Sequence, residues 1–317
     1  MASTAETEPR GRRPRRRGQA ETTSGVWYPR WYWPSFTFPG SLWLAVFFVL
    51  PFWVVLSVAF GTVDPLFRLP LPVYQPWWWS FETFAQTLRK FGSGDHIYLA
   101  PLIRTFVYVF AASAICLVVG YAVAYYTARH AGRWRGLVLM LLIAPFWISY
   151  LMRIYAWQSL LQPDGYINDG IGVFGFGPVN WIGEPVTVVL GLVYGYIPFM
   201  ILPLFGFLDR IEPSLLEAGR DLGASSVQTF VRVTLPLSKP GILAGLVIVS
   251  LPMFGDYYTN DLIGSERTSM YGNLIDNAVS SSGQGPEAGS LVLILIAIVI
   301  LPMLYYLRST RRATESG

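Results

Sequence analysis

The 317-residue chain has one cysteine, two histidines and two lysines, and each shortage removes a class of chemistry. Cys116 has no partner for an intrachain disulfide and, inside an apolar run, reads as a small buried residue. So few histidines and cysteines argue against a zinc site or covalent triad, and no H-E-x-x-H, C-x-x-C or G-x-S-x-G occurs. A phosphate-cradling loop needs lysine directly after glycine. Lys90 follows Arg89 and Lys239 follows Ser238, so the chain cannot hydrolyse ATP by that route. Charge is scarce too, at 13% of residues against 53% apolar, with a mean hydropathy of +0.44. That balance marks an integral membrane protein, and the net charge of +4 is not distributed as nucleic-acid binding requires.

What is present is a series of apolar runs near the ~20 residues that cross the hydrocarbon core. Six spans are expected near 40–60, 100–127, 136–157, 186–207, 241–262 and 289–307. Residues 1–35 form a basic tail and an aromatic interface segment, with six arginines between Arg10 and Arg17 followed by Trp27, Tyr28, Trp31, Tyr32 and Trp33. Residues 36–310 are the membrane domain and 311–317 a short terminal tail. Between spans, the basic residues collect in the tail, at Arg129, Arg133 and Arg135, at Arg210, Arg220, Arg232 and Lys239, and at Arg308, Arg311 and Arg312. The other side holds only Arg68, Arg89, Lys90 and Arg267. Positive charge stays inside, so both termini are expected in the cytoplasm.

The outer loops are acidic, with Asp164, Asp169 and Glu184 in the second and Asp261, Glu266, Asp276 and Glu287 in the third. The first, about 61–99, is rich in proline, contains Trp77, Trp78 and Trp79, and is expected to lie over the membrane as an irregular lid. His96 within it reads as solvated. Arg104 and Arg153 fall near the outer ends of spans, where a long side chain can snorkel to the interface. The fifth span is interrupted by Pro252 and by Gly255-Asp256-Tyr257-Tyr258. A carboxylate at membrane depth belongs on a cavity wall, although Asp256 could also simply cap a helix at the outer interface.

The most polar long segment is residues 217–242, within the cytoplasmic loop 209–240 and the start of the next span. Leu215, Leu216, Ala218, Leu222 and Ala224 interleave with Glu217, Arg220 and Asp221 as in an amphipathic helix. Gly223 marks a turn, a short second helix follows, and Leu235-Pro236 with Lys239-Pro240-Gly241 are expected to break it. Glu217-Ala218-Gly219, Gly223-Ala224, Phe230, Val233, Leu235-Pro236 and Pro240-Gly241-Ile242 resemble the EAA loop of permease subunits in bacterial ABC importers. Gly219 departs from the alanine usual at the third letter.

The resemblance implies an all-α type I ABC importer permease fold of six transmembrane helices in the bacterial inner (plasma) membrane. It implies that Glu217, Ala218, Gly219, Asp221, Gly223, Ala224, Leu235 and Pro236 couple to separate ATPase subunits, which carry ATP and Mg. A second permease subunit, identical or homologous, and an extracytoplasmic substrate-binding protein complete the implied assembly, alongside membrane lipid and without nucleic acid. Residues 145–168 and 254–275 resemble the spermidine/putrescine branch, which makes Arg153, Trp157, Asp256, Tyr257 and Tyr258 candidates for the substrate pathway. Asp256 among tyrosines and acidic outer loops favour a cation. Thiamine, ferric iron and oxyanions are alternative cargoes within the family, and an ion-gradient-driven secondary transporter is the rival from another class.

Overall fold

A computed structural model describes residues 32–92, 97–175 and 177–315, with 301–315 as backbone alone. The basic tail and His96 lie outside the described residues. The chain divides into Met1–Phe52 and Trp53–Gly317. The first unit contains α1 (Tyr32–Leu44) and a π turn, Ala45–Val49, with exposed Trp33, Phe36, Trp43 and Phe48. Such aromatic side chains suit lipid tails and headgroups better than water.

The second unit begins within α2 (Leu50–Ala59), at Trp53, and holds everything after it. Helices dominate, beside one small hairpin in which β1 (Thr62–Val63) pairs antiparallel with β2 (Pro70–Leu71). The loop of about 61–99 is therefore not irregular, because the hairpin is followed by a 3-10 turn, Pro76–Trp78, and by the amphipathic helix α3 (Glu82–Gly92).

Long apolar helical runs cover Tyr32–Ala59, Leu99–Arg129, Pro185–Asp209 and Ser226–Phe254. The second of these is α4 (Leu99–Arg129) and the third α8 (Pro185–Asp209). The expected straight third span is instead a bent pair. Arg135–Ile143 (α5) continues through a 3-10 turn to Trp147, the chain turns by 89°, and α6 (Tyr150–Leu161) and α7 (Tyr166–Gly172) follow. Pro145 sits in that 3-10 turn, and Ile148 and Ser149 have extended ψ angles of 138° and 141°, which no α-helix accommodates.

The fifth span also differs from its expected limits. After α9 (Pro213–Asp221) and α10 (Ser226–Thr229), the helix does not stop at the prolines but widens into a π turn, Phe230–Thr234, and continues as α11 (Leu235–Phe254). Pro236 falls in the first turn of α11, where its missing N–H costs little, and Pro240 is carried within the helix. Pro252 lies in the last turn rather than mid-span, and Gly255 ends the helix. The interruption then leads to α12 (Tyr258–Ile263), α13 (Tyr271–Ser280) and α14 (Gly285–Glu315), whose apolar described part is Gly285–Ile300.

The core is the seam of α4, α8 and α11, with Val109, Ala112, Cys116, Leu192, Met200, Leu204, Val249 and Met253 buried. Cys116 is wholly enclosed, as an apolar filler would be. Met200 fits between glycines of the flanking helices. A Cβ on Gly120 would lie 3.1 Å from its Cγ, and one on Gly245 2.6 Å from its sulfur. Small residues of this kind let membrane helices approach closely.

Candidate functional site

Asp256 lies in the break between α11 and α12 and is only 6% exposed. Its Oδ1 accepts the Thr259 amide at 3.0 Å, so it does cap α12, as one of the two sequence readings has it. Its Oδ2 accepts the hydroxyls of Tyr150 at 2.8 Å and Tyr196 at 3.0 Å. Tyr150 Oη also lies 2.5 Å from Thr259 Oγ1. Since the tyrosine proton goes to the carboxylate, the threonine hydroxyl supplies the proton of that second bond. The ion pairs among the described residues are Lys90 with Glu287 and Arg135 with Asp209, so Asp256 is held there by neutral donors alone.

Two glycines of α8 make this arrangement fit. A Cβ on Gly191 would come within 2.6 Å of Ile263 Cδ1 and 2.8 Å of Thr259 Cγ2, and one on Gly195 within 2.6 Å of Tyr150 Cε2. The Gly191-x-x-x-Gly195 face thus seats α12 and the Tyr150 ring one turn apart.

Arg153, one turn along α6 from Tyr150, is 7% exposed and does not snorkel. Its guanidinium carbon stands 4.1 Å from the Phe146 ring centroid, 5.4 Å from that of Tyr150 and 5.8 Å from that of Tyr194. Nε and Nη1 have no hydrogen-bond partner, so ring faces carry much of its stabilisation. Trp157 meets Tyr194 edge-on at 5.4 Å. Arg153 and Trp157 therefore share Tyr194, and Tyr150 joins the Arg153 cluster to Asp256. Arg104 is half-buried and donates to the carbonyls of Ala100 and Arg267.

Tyr257 and Tyr258 pair with each other, ring centroids 4.0 Å apart, rather than with Asp256. The Tyr257 carbonyl accepts from Asn273 Nδ2 at 3.1 Å, and the same amide donates to Asp261 at 2.5 Å. Beside them lies a polar cavity of about 450 Å³ lined by Asp261, Glu266, Asn273 and Asn277, among others. Reading the sequence missed Tyr150, Tyr196, Thr259 and Asn273. The available signal was tyrosine in apolar surroundings, whose hydroxyl must find a partner.

The polar 217–242 segment forms a separate site. α9 ends in a turn at Gly223, φ +80°, where a side chain would be strained. The Gly223 amide donates to Arg220 O at 2.8 Å and that of Ala224 to Gly219 O at 3.1 Å. Ser225 and Gln228 then cap α10 reciprocally. Glu217, Ala218, Asp221, Gly223 and Pro236 are exposed, Gly219, Ala224 and Leu235 partly so, and Leu222 and Val227 present apolar side chains outward. A Cβ on Gly219 would meet Thr229 at an ordinary 3.5 Å, so alanine would also fit there. The loop is tied to the helices by Phe230, edge-on to Tyr121 and Tyr125, and by Arg129, which donates to the carbonyls of Leu208 and Ile211 at 2.9 Å each.

The family model described as "binding-protein-dependent transport system inner membrane component" matches residues 37–312. The chain belongs to this family. As a binding-protein-dependent transport component it is a multi-pass membrane permease.

It is 34% identical over 272 residues to the spermidine/putrescine transport system permease protein PotB of Escherichia coli K12, covering 85% of this chain and 94% of that one. PotB of Haemophilus influenzae is 32% identical over 272 residues, covering 85% and 91%. The inner membrane ABC transporter permease protein YdcU of Escherichia coli K12 is 30% identical over 221 residues, covering 65% and 70%. Among solved structures, a bacterial alginate ABC transporter in complex with an alginate-bound periplasmic protein matches with a TM-score of 0.68 and 16% identity, over 90% of this chain and 96% of that one. That likeness shows the fold, a helical ABC permease.

Proposed function

We propose that this permease imports a polyamine of the spermidine/putrescine class across the bacterial inner (plasma) membrane, driven by a separate ATPase. The observation that carries the substrate reading is the buried Asp256 carboxylate, held by neutral donors and free of an ion-pair partner among the described residues. A cationic solute would complete its charge. Asp261 and Glu266 around the neighbouring cavity favour the same sign, and Trp157, Tyr257 and Tyr258 offer π faces to ammonium groups. Arg153, already stacked on three rings, fixes the aromatic wall on which Tyr150 stands. The PotB relatives support the same cargo.

In this reading the bent pair and α14 each cross once, making six spans with both termini cytoplasmic. The subunit pairs with a second permease, identical or related, and an extracytoplasmic binding protein delivers solute to the outer loops. Glu217, Ala218, Gly219, Asp221, Gly223, Ala224, Leu235 and Pro236 engage the ATPase, which holds ATP and Mg. Closure of the ATPase pair moves α9 and α10, the Phe230 contact passes that motion to α4, and the paired bundles alternate between outward and inward openings.

Uptake of labelled putrescine and spermidine in cells with and without this chain, its partner subunits present in both, tests the reading. Vanadate-sensitive uptake is expected to disappear with the chain. Unchanged uptake would overturn the polyamine assignment, and uptake that follows an ion gradient instead of ATP would overturn the coupling.

A further inference from the structure

Three successive tryptophans in the first outer loop do not share one environment. Trp79 turns inward, stacking on Phe60 at 5.0 Å, standing 5.5 Å from Trp53 and donating its indole N–H to Val73 O at 2.7 Å. Trp77 and Trp78 turn outward, 76% and 71% exposed, next to exposed Tyr74 and Phe81. No charged residue stands between Arg68 and Glu82.

The depth of this segment can be read from the helix it lies against. The Val73 amide donates to Ser57 O at 2.9 Å and that of Ser80 to Phe60 O at 3.0 Å, so the loop folds back along the end of α2. Trp53, which Trp79 touches, precedes the helix end at Ala59 by six residues, about 9 Å of rise. The apolar run ending there, Tyr32–Ala59, has 28 residues, where the hydrocarbon core needs only about 20. About four residues at each end therefore stand in the headgroup layers, and residues 74–81 lie alongside them.

We propose that residues 74–81 anchor the outer loop in the lipid headgroup layer, with Trp77 and Trp78 inserted among the lipids. Indole combines an apolar body with an N–H that headgroups and interfacial water can satisfy, and an uncharged segment enters that layer without desolvating an ion. The backbone of the 3-10 turn stays hydrated there, as irregular structure in the hydrocarbon would not. A protein docking from the aqueous side would find these side chains level with the lipids rather than above them.

The test places a nitroxide at Trp77→Cys or Trp78→Cys in the complete transporter in lipid nanodiscs; Cys116 is fully buried and stays unlabelled. Collision rates with oxygen, which concentrates in lipid, and with a water-soluble nickel chelate are compared, using the same nitroxide free in the buffer as the aqueous reference. The oxygen-to-nickel ratio is expected above one at 77 and 78 and below one for the free label. A ratio below one at 77 and 78, or shielding from both reagents as a protein partner would give, overturns the proposal. Should the labelled variants assemble poorly, quenching of native tryptophan fluorescence by headgroup-proximal brominated lipid serves instead. It must fall in Trp77→Phe/Trp78→Phe, and unchanged quenching is equally decisive against the anchor.

Discussion

The Tyr150 hydroxyl donates to Asp256 Oδ2 across 2.8 Å, joining the first residue of α6 to the break that follows α11. Asp256→Asn keeps one oxygen, for either the two tyrosines or the Thr259 amide, and turns an NH2 donor toward the other, so folding should lose about 1–3 kcal/mol. The charge disappears, and polyamine uptake is expected to fall at least about tenfold, roughly 1.4 kcal/mol of lost interaction. Labelled uptake, with pull-down of the ATPase as the control for assembly, checks this. Wild-type transport with intact assembly would remove Asp256 from the pathway.

Tyr150→Phe should separate the hydrogen-bond network from the charge. The Thr259 hydroxyl and Asp256 each lose a partner, while Tyr196 still donates to Oδ2. A loss of about 1–3 kcal/mol in stability is expected, seen as a lower Tm in detergent, with uptake reduced less than by Asp256→Asn.

Gly195→Ala probes the seat of that tyrosine. The new Cβ would stand 2.6 Å from Tyr150 Cε2 and 3.1 Å from its hydroxyl oxygen, so the ring must shift. Overpacking of this kind costs about 1–3 kcal/mol. Gly206→Ala on the same helix is the control, since nothing lies within 4 Å of its added methyl. Thermal unfolding of the two variants should differ clearly, and equal Tm values would mean that the groove is looser than the contacts imply.

The distribution of these features explains what the sequence could tell. The helix-turn-helix around Gly223 was legible because its signals are local: amphipathic spacing over 215–224 and a glycine where the helix ends, while the Ser225/Gln228 capping pair went unread. The interruption at Gly255-Asp256 was legible for the same reason. The carboxylate's partners were not, because Tyr150 and Tyr196 stand 106 and 60 residues away and meet it only through the Gly191/Gly195 face. Proline misled in both directions. Pro236 and Pro240 looked like stops, yet a π turn lets the helix run on, whereas Pro145 helps to turn the third span by 89°. Whether a proline ends, kinks or merely decorates a membrane helix depends on where the neighbouring turns can find replacement hydrogen bonds.

Phe230 offers a way to divide docking from transmission. Its ring stands edge-on to Tyr121 and Tyr125, centroids 5.6 Å away in each case, at the π turn between the exposed loop and α11. Phe230→Ala leaves the exposed face of α9 unaltered, so the ATPase should still be pulled down, but polyamine taken up per ATP hydrolysed should drop. Glu217→Lys and Gly223→Asp should instead dissociate or uncouple the ATPase directly. Equal behaviour of all three variants in pull-down and transport would show that Phe230 has no separate transmitting role.

The Lys90, Tyr98 and Glu287 cluster ties α3 and the start of α4 to the first turn of α14. Lys90 Nζ lies 2.5 Å from Glu287 Oε1, and the Tyr98 hydroxyl donates to the same oxygen. Partial burial pulls the Lys90 ammonium down, but the Glu287 carboxylate outweighs it and leaves the group above its usual value of 10.5. Burial, and then Glu287, hold Tyr98 above its usual 10.0. Both groups thus keep protons in the folded protein that the unfolded chain would release, so their stabilisation is complete below about pH 10 and is lost as pH rises through the raised values. Tm in detergent should therefore gain nothing from this cluster's titration between pH 6 and 9 and should fall above pH 10. Glu287→Gln should lower Tm at neutral pH, by the equivalent of about 1 kcal/mol for a partly exposed pair, and flatten the alkaline decline. A variant as stable as the wild type at pH 7, with an unchanged alkaline limb, would show that the tether between these elements contributes nothing.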